Sequence, residues 1–460
     1  MDIVKQMKLF MEPKSVAVLG ASRRTGKMSF NAFQNILNFG FKGKIYPVNP
    51  SVGEILGQKV YPNIKAIPDD IDLALITTPY KHVRSLVDEC VESGIRAIIV
   101  VSGGFADAGE EGKAFQGEII EIARGGNARI IGPNSMGIAN SQNRLNTAFV
   151  PEMQMKETSL GVICQSGLFF CGLPDMHLVG KIIDLGNCCD IGFADGLAYL
   201  EDDPATKLIL LHIEGIKDGK RFMEISKRVS GKKPIFALKT GKSEAGAGAA
   251  QSHSGSMAGM DEVYDAVFKQ CGIMRVNDLD EMQDMGKAFL TLPLMRGKRV
   301  AIATVTYGGG VSCLDACQAY NLEVAELSRS TINKIRELAP DWLDLKNPVD
   351  LGALNFMKHG LDKTLSITLE ALLRDDKVDG ITLILPAMNS DSWNLLETTP
   401  KLAMRYKEKP IVCWMYGNRC HEYSDELEKG GEIAAFPTIE RAILALARLY
   451  EYGKIKKERL

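Results

Sequence analysis

The stretch that decides the fold is SVAVLGAS, residues 15–22. Four consecutive apolar residues at 16–19 predict a buried β-strand, and Gly20-Ala21-Ser22 predicts a tight turn that leads into a helix at 29–39. Such a unit places backbone N–H groups at a helix N-terminus, where they can bind a phosphate group. The turn is not a complete G-x-G-x-x-G motif, because the second glycine comes only at Gly26. The spacing alone is therefore weak evidence for a ligand.

The same alternation of apolar runs and helical patterns continues along the whole chain, which is typical of parallel sheets. Further strands are expected at 44–47, 73–77, 97–101, 129–132, 160–164, 181–185, 208–213, 234–238, 274–276, 299–304, 380–385 and 410–415. A final amphipathic helix is expected at 438–454. We therefore predict an α/β protein with a Rossmann-type domain at 1–150 and two further doubly wound domains at 151–295 and 296–460.

Composition excludes several classes of function. The 460 residues include 55 Lys and Arg against 57 Asp and Glu, so no excess positive charge favours nucleic acid or anionic lipid. The N-terminus lacks a secretory pattern, and the longest charge-free apolar stretch, between Glu157 and Asp175, is too short to span a membrane. The 10 cysteines form no CxxC pair and the chain has only 6 histidines. We expect a cytoplasmic protein that binds no nucleic acid, membrane or metal.

Polar or glycine-containing residues follow four strands of the predicted first sheet. They are Gly20-Ala21-Ser22, Val48-Asn49-Pro50, Thr77-Thr78-Pro79 and Ser102-Gly103-Gly104-Phe105. Because the carboxyl ends of parallel strands face one crevice, these turns favour a nucleotide-like ligand over ordinary βα connections. No Asp or Glu follows the second strand to hold a ribose diol, which argues against NAD.

A second candidate site lies in the predicted middle domain. His253 stands in the segment 241–260, which is rich in Gly, Ala and Ser, and Ser254, Gly255 and Ser256 can offer donors to an anion. Glu214 follows the predicted strand at 208–213, and Gln165-Ser166-Gly167 follows another. A histidine that accepts a phosphoryl group needs an accessible ring nitrogen, preorganised donors and a carboxylate. The alternatives are an exposed loop histidine and a solvated loop acid.

At these residues the chain resembles the α subunit of NDP-forming acyl-CoA synthetases and, more distantly, the succinyl-CoA synthetase α subunit. The resemblance covers essentially the whole chain. In the first domain it rests on Gly20-Ala21-Ser22, Val48-Asn49-Pro50, Thr78-Pro79, Ser102 to Phe105 and the G-P-N-x-x-G motif at 132–137. Further along it rests on Q-S-G at 165–167, G-N-x-x-D at 186–190, E-G-I-x-D-G at 214–219, the histidine loop at 253–259, a glycine loop at 308–310 and N-P-V-D-L at 347–351.

The resemblance implies the roles of individual residues. His253 would carry the phosphoryl group between an acyl phosphate and a nucleoside diphosphate, and Glu214 would orient its imidazole. Ser166, Gly167, Gly255 and Ser256 would hold the phosphate. Coenzyme A would bind in the first domain, at Gly20, Ala21, Ser22, Lys27, Val48, Asn49, Pro50, Thr77, Thr78, Pro79, Ser102, Gly103, Asn134 and Ser135.

The resemblance also implies a partner. It makes 151–295 and 296–460 flavodoxin-like ligase domains, and ATP or ADP with Mg would bind an ATP-grasp domain. Only a short basic stretch follows Tyr450, so we expect that domain on a separate β subunit, in an αβ or α2β2 assembly. The small-molecule substrates would be an acyl group, coenzyme A and phosphate.

Two departures from the family pattern affect the expected acyl site. Leu168-Phe169-Phe170 follows Q-S-G where relatives have small residues, and Cys188-Cys189 includes the place of a lysine. We expect a smaller or more apolar acyl pocket, with the two cysteines as core residues rather than nucleophiles. The competing functions are a non-catalytic coenzyme A-binding or regulatory protein of the same fold and, less favoured, a Rossmann NAD-dependent oxidoreductase.

Overall fold

A computed structural model describes most of the chain. The described residues run from 2 to 459, without Thr25, Val52, 151–156, 172–179, Glu244, Ala247, 249–260, 356–359 and 389–394. The chain divides into two compact units, Met1–Met282 and Gln283–Leu460. Among the helices of the described residues, none combines the length and the apolar character that crossing a membrane requires.

The first unit begins with a parallel sheet built around the strand that the apolar residues 16–19 predict. The strands of this region are β1 (Ser15–Leu19), β2 (Lys44–Val48), β3 (Glu54–Ile55), β4 (Gln58–Lys59), β5 (Leu73–Ile76), β6 (Ala97–Val100) and β7 (Arg129–Ile131). The helices are α1 (Ile3–Met11), α2 (Met28–Phe39), α3 (Val83–Glu92) and α4 (Glu110–Gly125), with short 3-10 turns at Ile64–Ala66, Tyr80–His82 and Ala106–Ala108. The parallel order is β2-β1-β5-β6-β7, and β3 pairs with β4 in a separate hairpin.

The strand β1 explains why its sequence is a continuous apolar run. It lies between β2 and β5, and all of its residues are buried. A parallel strand covered on both faces needs apolar side chains at every position, because neither face meets water.

A second sheet follows in the same unit. Its strands are β8 (Ile138–Asn140), β9 (Leu145–Asn146), β10 (Leu160–Cys164), β11 (Lys181–Asp184), β12 (Leu208–Ile213), β13 (Ile235–Lys239) and β14 (Met274–Val276). The helices are α5 (Leu168–Cys171), α6 (Phe193–Asp202), α7 (Gly219–Ser230), α8 (Asp261–Cys271) and α9 (Leu279–Thr291), and the boundary between the units falls within α9.

The order of the second sheet is β14-β13-β12-β10-β11-β8-β9. The strands β10 to β14 are parallel, whereas β8 pairs antiparallel with β11 and β9 pairs antiparallel with β8. The sequence patterns do not predict the hairpin β8–β9, because its strands are short and no long apolar run marks them. The division into three domains at 150 and 295 stays a prediction.

The second unit contains the third sheet. Its strands are β15 (Arg299–Thr304), β16 (Glu323–Val324), β17 (Val349–Asp350), β18 (Gly380–Pro386), β19 (Ile411–Tyr416) and β20 (Ala434–Phe436), in the order β16-β15-β18-β19-β20 with β17 paired to β15. The helices are α10 (Tyr307–Ala319), α11 (Arg329–Arg336), α12 (Leu351–Asn355), α13 (Leu361–Arg374), α14 (Leu395–Arg405), α15 (Cys420–Glu428) and α16 (Ile439–Arg459).

The predicted α/β fold is confirmed. The strands predicted at 160–164, 208–213, 274–276 and 299–304 have those bounds, and the others agree within one or two residues. The glycine loop predicted at 308–310 is wrong, because these residues lie in the first turn of α10. A run of three glycines has a low helix propensity, which is why the sequence favoured a loop. Gly310 is nevertheless suited to its place in the helix, because its tight packing against Thr304 and Pro348 leaves little room for a side chain.

Candidate active site

The turns that follow β1, β2 and β5 lie side by side at the carboxyl edge of the first sheet. Gly20 has a φ of +87°, and a Cβ atom there would lie 2.5 Å from Cγ2 of Thr78. Only glycine fits this close approach without strain. Asn49 Nδ2 donates to the carbonyl oxygen of Ala21 at 2.8 Å. The structure thus joins three of the turns predicted to meet.

The turns that follow β6 and β7 meet in the same way. Asn134 N–H donates to the carbonyl oxygen of Ser102 at 2.9 Å, and a Cβ atom on Gly103 would lie 3.3 Å from Asn134 Oδ1. Asp107 accepts hydrogen bonds from the N–H of Gly104 at 2.8 Å and from Asn187 Nδ2 at 2.8 Å. Burial raises the pKa of Asp107, but these hydrogen bonds outweigh it and leave the pKa lowered. Asp107 therefore holds this turn as a carboxylate.

Two hydroxyl groups at this edge are buried without a partner. Thr78 Oγ1 and Ser102 Oγ make no hydrogen bond to any group that the structure describes. Buried polar atoms in proteins are normally paired, so these two hydroxyls are suited to a polar ligand. The chemistry of the edge, which combines hydroxyls, amides and a glycine turn, fits a nucleotide-like molecule.

The remaining residues predicted for this ligand lie around the same edge. Thr77 Oγ1 donates to the carbonyl oxygen of Leu19 at 2.9 Å, and Ser22 Oγ accepts the N–H of Arg24 at 3.1 Å. The others lie at or just beyond a strand end or a helix start: Lys27 before α2, Val48 at the end of β2, Pro50 and Pro79 as exposed turn residues, and Ser135 after β7.

In the second sheet, Gln165 joins the ends of β10 and β12. Its side chain is almost fully buried, and Oε1 accepts hydrogen bonds from the N–H of Glu214 at 2.9 Å and of Gly215 at 3.1 Å. The next backbone N–H, that of Ile216, donates to the hydroxyl of Tyr264 at 3.3 Å. These contacts fix the direction in which Glu214 leaves the strand.

The carboxylate of Glu214 retains a free acceptor in the described part of the chain. Its Oε2 is buried and makes no hydrogen bond to any described residue. An unpaired buried carboxylate oxygen is costly unless a donor reaches it, so this geometry suits an N–H or O–H group arriving from elsewhere. His253, Gly255 and Ser256, three of the predicted site residues, lie outside the described residues.

A cleft of about 260 Å³ lies where the first and second sheets of the first unit meet. Ser166 and Gly167 stand on one wall, and Asn134 and Ser135 stand on the other. The structure therefore brings together residues that the sequence assigned to two separate sites.

Asp184, the last residue of β11, also lines this cleft and was missed by the sequence patterns. Burial raises its pKa to about 6, and the nearby charge of Glu214 pushes it in the same direction. The signal for it was the one used for Glu214, an acid at the carboxyl end of a parallel strand. Asp184 was not predicted as a site residue because Leu185 separates it from Gly186, so no glycine follows it directly.

The first departure from the family pattern, Leu168-Phe169-Phe170, lies mostly in the core. Phe169 and Phe170 are buried, and of Leu168-Phe169-Phe170 only Leu168 lines the cleft. The aromatic side chains fill the core, where Phe169 packs beside the ring of His212 at 5.6 Å between centroids. Neither phenylalanine lines this cleft, and their expected place near the acyl site stays a prediction.

The thiols of Cys188 and Cys189 are held in the protonated form. Burial raises the pKa of Cys188 to about 11 and raises that of Cys189 further. A thiol is a poor nucleophile when protonated, which agrees with a packing role. Among the described residues, no group of three or more His, Cys, Asp and Glu side chains could hold a metal ion.

Comparisons with known proteins agree with this geometry. Residues 14–141 match the CoA binding domain family, and residues 157–289 match the succinyl-CoA ligase like flavodoxin domain family. The chain is 39% identical to the ADP-forming acetate–CoA ligase II subunit alpha of Pyrococcus furiosus, over 94% of each protein. It is 37% identical, over 96% of its length, to the ADP-forming acetate–CoA ligase II of Archaeoglobus fulgidus, and it spans 66% of that relative.

A solved structure is similar over almost the entire chain. It is that of the dinucleotide forming acetyl-coenzyme A synthetase 1 of Ca. Korarchaeum cryptofilum, in complex with phosphate and ADP. The TM-score is 0.89 at 29% sequence identity, with 99% of this chain and 98% of that chain covered. The three-sheet architecture is therefore shared along the full length of both chains.

Proposed function

This chain belongs to the family of ADP-forming acetate–CoA ligase α subunits, and we propose that it interconverts acyl-CoA, ADP and phosphate with a carboxylic acid, ATP and coenzyme A. The observation that carries the proposal is the buried Oε2 of Glu214, which has no hydrogen-bond partner among the described residues. It lies on the turn that Gln165 anchors, next to the cleft that Ser166 and Gly167 line. A carboxylate in this position can hold one nitrogen of a histidine while the other nitrogen accepts a phosphoryl group.

Coenzyme A would bind along the carboxyl edge of the first sheet. The backbone of the turn at Gly20, Ala21 and Ser22 would meet its phosphates, while Thr78 and Ser102 would offer their unpaired hydroxyls. Asn134 and Ser135 lead from this edge into the cleft, so the thiol end of the molecule would reach Ser166 and Gly167 there.

The first half of the reaction would then consist of two transfers, of the acyl group to phosphate and of the phosphoryl group to His253. A phosphate oxygen attacks the thioester carbonyl carbon, the C–S bond breaks, and acyl phosphate and the coenzyme A thiolate form. A ring nitrogen of His253 next attacks the phosphorus, the bond between phosphorus and the acyl oxygen breaks, and the carboxylate leaves. Glu214 accepts a hydrogen bond from the imidazole and balances the charge that develops on it, while Ser166, Gly167, Gly255 and Ser256 donate to the phosphoryl oxygens.

The second half of the reaction passes the phosphoryl group from His253 to ADP. The relatives named as α subunits imply a partner subunit. We assign ADP, ATP and Mg to that partner, an ATP-grasp β subunit in an αβ or α2β2 assembly. The cytoplasm is the compartment that supplies these nucleotides to the enzyme.

Intact mass spectrometry tests the proposal directly. The purified chain is incubated with phosphate and a panel of acyl-CoA thioesters, with and without the partner subunit, under non-acidic conditions that preserve phosphohistidine. We expect the mass of one phosphoryl group to appear in the wild type and to be absent in His253→Ala. Glu214→Gln should slow the gain by about 10²-fold or more, because the neutral amide cannot balance the imidazolium charge.

The controls separate the competing functions. Coenzyme A binding without any phosphoryl gain, even with the partner present, would favour a non-catalytic coenzyme A-binding protein. Binding of a nicotinamide dinucleotide in preference to coenzyme A would favour the oxidoreductase.

A further inference from the structure

The cleft between the first and second sheets has a lining of mixed character. Its apolar part consists of Val101, Met136, Phe149, Leu168 and Cys171. Of the described residues that line it, Asp184 alone brings a carboxyl group. Its volume of about 260 Å³ is many times the roughly 10–15 Å³ of cavity space that holds one water molecule. A chain longer than two carbons therefore fits.

The carboxylate of Asp184 is rigidly placed in this wall. Oδ2 accepts the N–H of Met136 at 2.7 Å, and Oδ1 accepts the N–H of Gly186 at 3.1 Å. The hydroxyl of Ser135 interacts with the same carboxyl group. These three donors still leave a lone pair open, because each carboxylate oxygen can accept two hydrogen bonds.

No Lys, Arg or His side chain of the described residues forms an ion pair with this carboxylate. The main charge that acts on its pKa is that of Glu214, which has the same sign. A second carboxylate brought into the cleft would meet uncompensated repulsion in a site shielded from water.

From this geometry we infer that Asp184 is a specificity-determining residue, which rejects acyl groups with a second carboxylate and admits monocarboxylic acids whose far end is apolar or donates a hydrogen bond. The inference rests on the proposed function and names its substrate class. Repulsion acts against the charged competitor, while the free lone pairs of Asp184 can accept a hydrogen bond from a neutral donor. The apolar lining accommodates the intervening carbon chain.

The first test uses pairs of acids matched in shape, with the enzyme assembled with its partner subunit. Succinate is compared with its monoamide, and terephthalate with its monoamide, by the rate of acyl-CoA formation from ATP and coenzyme A. Butyrate and benzoate provide the apolar references. We expect kcat/KM for each monoamide to exceed that of the dicarboxylate at least about tenfold, since the amide brings a neutral donor to Asp184 where the dicarboxylate brings a second negative charge.

The second test changes the residue. Asp184→Asn removes the charge and should reduce the preference for the monoamide at least about fivefold. Asp375→Asn is the matched control, because Asp375 is equally buried and also accepts two backbone N–H groups, from Ser328 and Lys377, but does not line the cleft. It should leave the preference unchanged.

The outcomes distinguish the two proposals. Equal rates for dicarboxylates and monoamides in the wild type overturn the inference, as does an unchanged preference in Asp184→Asn, while the proposed ligase activity stands. Failure of the assembled enzyme to convert any acid to its thioester overturns the proposed function, and the inference falls with it. The wild-type comparison needs no variant, so it can overturn the inference even if Asp184→Asn folds poorly.

Discussion

At the scale of single residues, backbone groups do most of the positioning at the site. Gly20 allows the turn after β1 to approach Thr78 closely. Gln165 accepts two backbone N–H groups that follow β12. Asp184 accepts the N–H groups of Met136 and Gly186, which line the cleft. A side chain that satisfies buried backbone donors has few replacements, because its loss leaves them without partners. Substitution at such positions should therefore affect stability and ligand binding together.

Gly20→Ala tests the close approach at the first turn. The φ of +87° strains any residue with a Cβ atom, and that atom would collide with Thr78. We expect a loss of stability of about 1–3 kcal/mol and coenzyme A affinity at least about tenfold weaker, measured by urea unfolding and calorimetry. Gly94→Ala is the control, with a φ of +77° and open space around the Cβ position. It should lose stability only, and equal coenzyme A affinity in both variants would contradict the role of Gly20.

Asp184 should make stability depend on pH in a defined window. Burial, and then the charge of Glu214, raise its folded-state pKa to about 6, above the unfolded value of about 3.9. The folded state therefore binds this proton more tightly, and the stabilisation is present at low pH and lost as pH rises through about 6. Cys164, which also faces Asp184, has its pKa raised well above the ordinary value by burial and stays neutral.

The measurement is the difference in unfolding free energy between the wild type and Asp184→Asn. We expect the unfolding free energy of the wild type, relative to that of the variant, to rise by about 1–3 kcal/mol as pH falls from about 8 to about 5. For Asp375→Asn the same comparison should be flat. Burial raises the pKa of Asp375, but the hydrogen bonds from Ser328 and Lys377 outweigh it and lower the pKa, which moves its titration below this window. A flat profile for Asp184→Asn would contradict the assignment.

At the scale of elements, the turn at 186–190 ties the second sheet to the edge of the first. The side chain of Asp190 is fully buried, and it accepts hydrogen bonds from Arg124 Nε, Arg129 Nε and the N–H of Ile130 at 2.8–2.9 Å. Arg129 and Ile130 belong to β7. This turn also carries Asn187, which reaches Asp107 beside the coenzyme A edge.

Asp190→Asn should destabilise the first unit by about 3–5 kcal/mol, because it leaves two guanidinium groups with a weaker, neutral partner. Asp202→Asn is the control, since Asp202 is exposed and lies 3.6 Å from Lys8 in a surface ion pair worth at most about 1 kcal/mol. Thermal unfolding of the two variants compares them. Similar shifts in both would show that the buried network does not hold the turn.

At the scale of the whole molecule, each of the two compact units contains a hydrophobic core cluster of its own. One core of the second unit is built from residues of the third sheet and its helices alone, and it includes Leu369. The core below the first sheet includes Leu75, on β5. The residues assigned to coenzyme A all belong to the first unit.

The separate cores predict separate responses to mutation. Leu369→Ala and Leu75→Ala each remove a fully buried side chain, which costs about 2–5 kcal/mol. We expect calorimetry to resolve two transitions, with Leu369→Ala lowering one of them and leaving coenzyme A affinity unchanged. Leu75→Ala should lower the other and weaken coenzyme A binding. A single cooperative transition that both variants shift equally would contradict this division.

Much of the fold could be read from the sequence, because its signals are local. A buried parallel strand such as β1 must be apolar at every position, and Gly20 must follow where the chain turns sharply. The same local rule located Glu214 and Gln165. It failed for β8 and β9, which no long apolar run marks, and for Gly308 to Gly310, whose helix packs against β15 and Pro348.

The sequence by itself determined the order of strands and helices, the family and the residues that stand at strand ends, since each follows from periodicity, turn chemistry or a motif along the chain. Only the tertiary structure decided which strand ends meet. It placed Asp184 against Met136, Asn134 beside Ser102, and Ser166 in one cleft with Ser135. Such pairings depend on the order of the strands within each sheet and on contacts between residues distant in the chain, which local sequence patterns do not reveal.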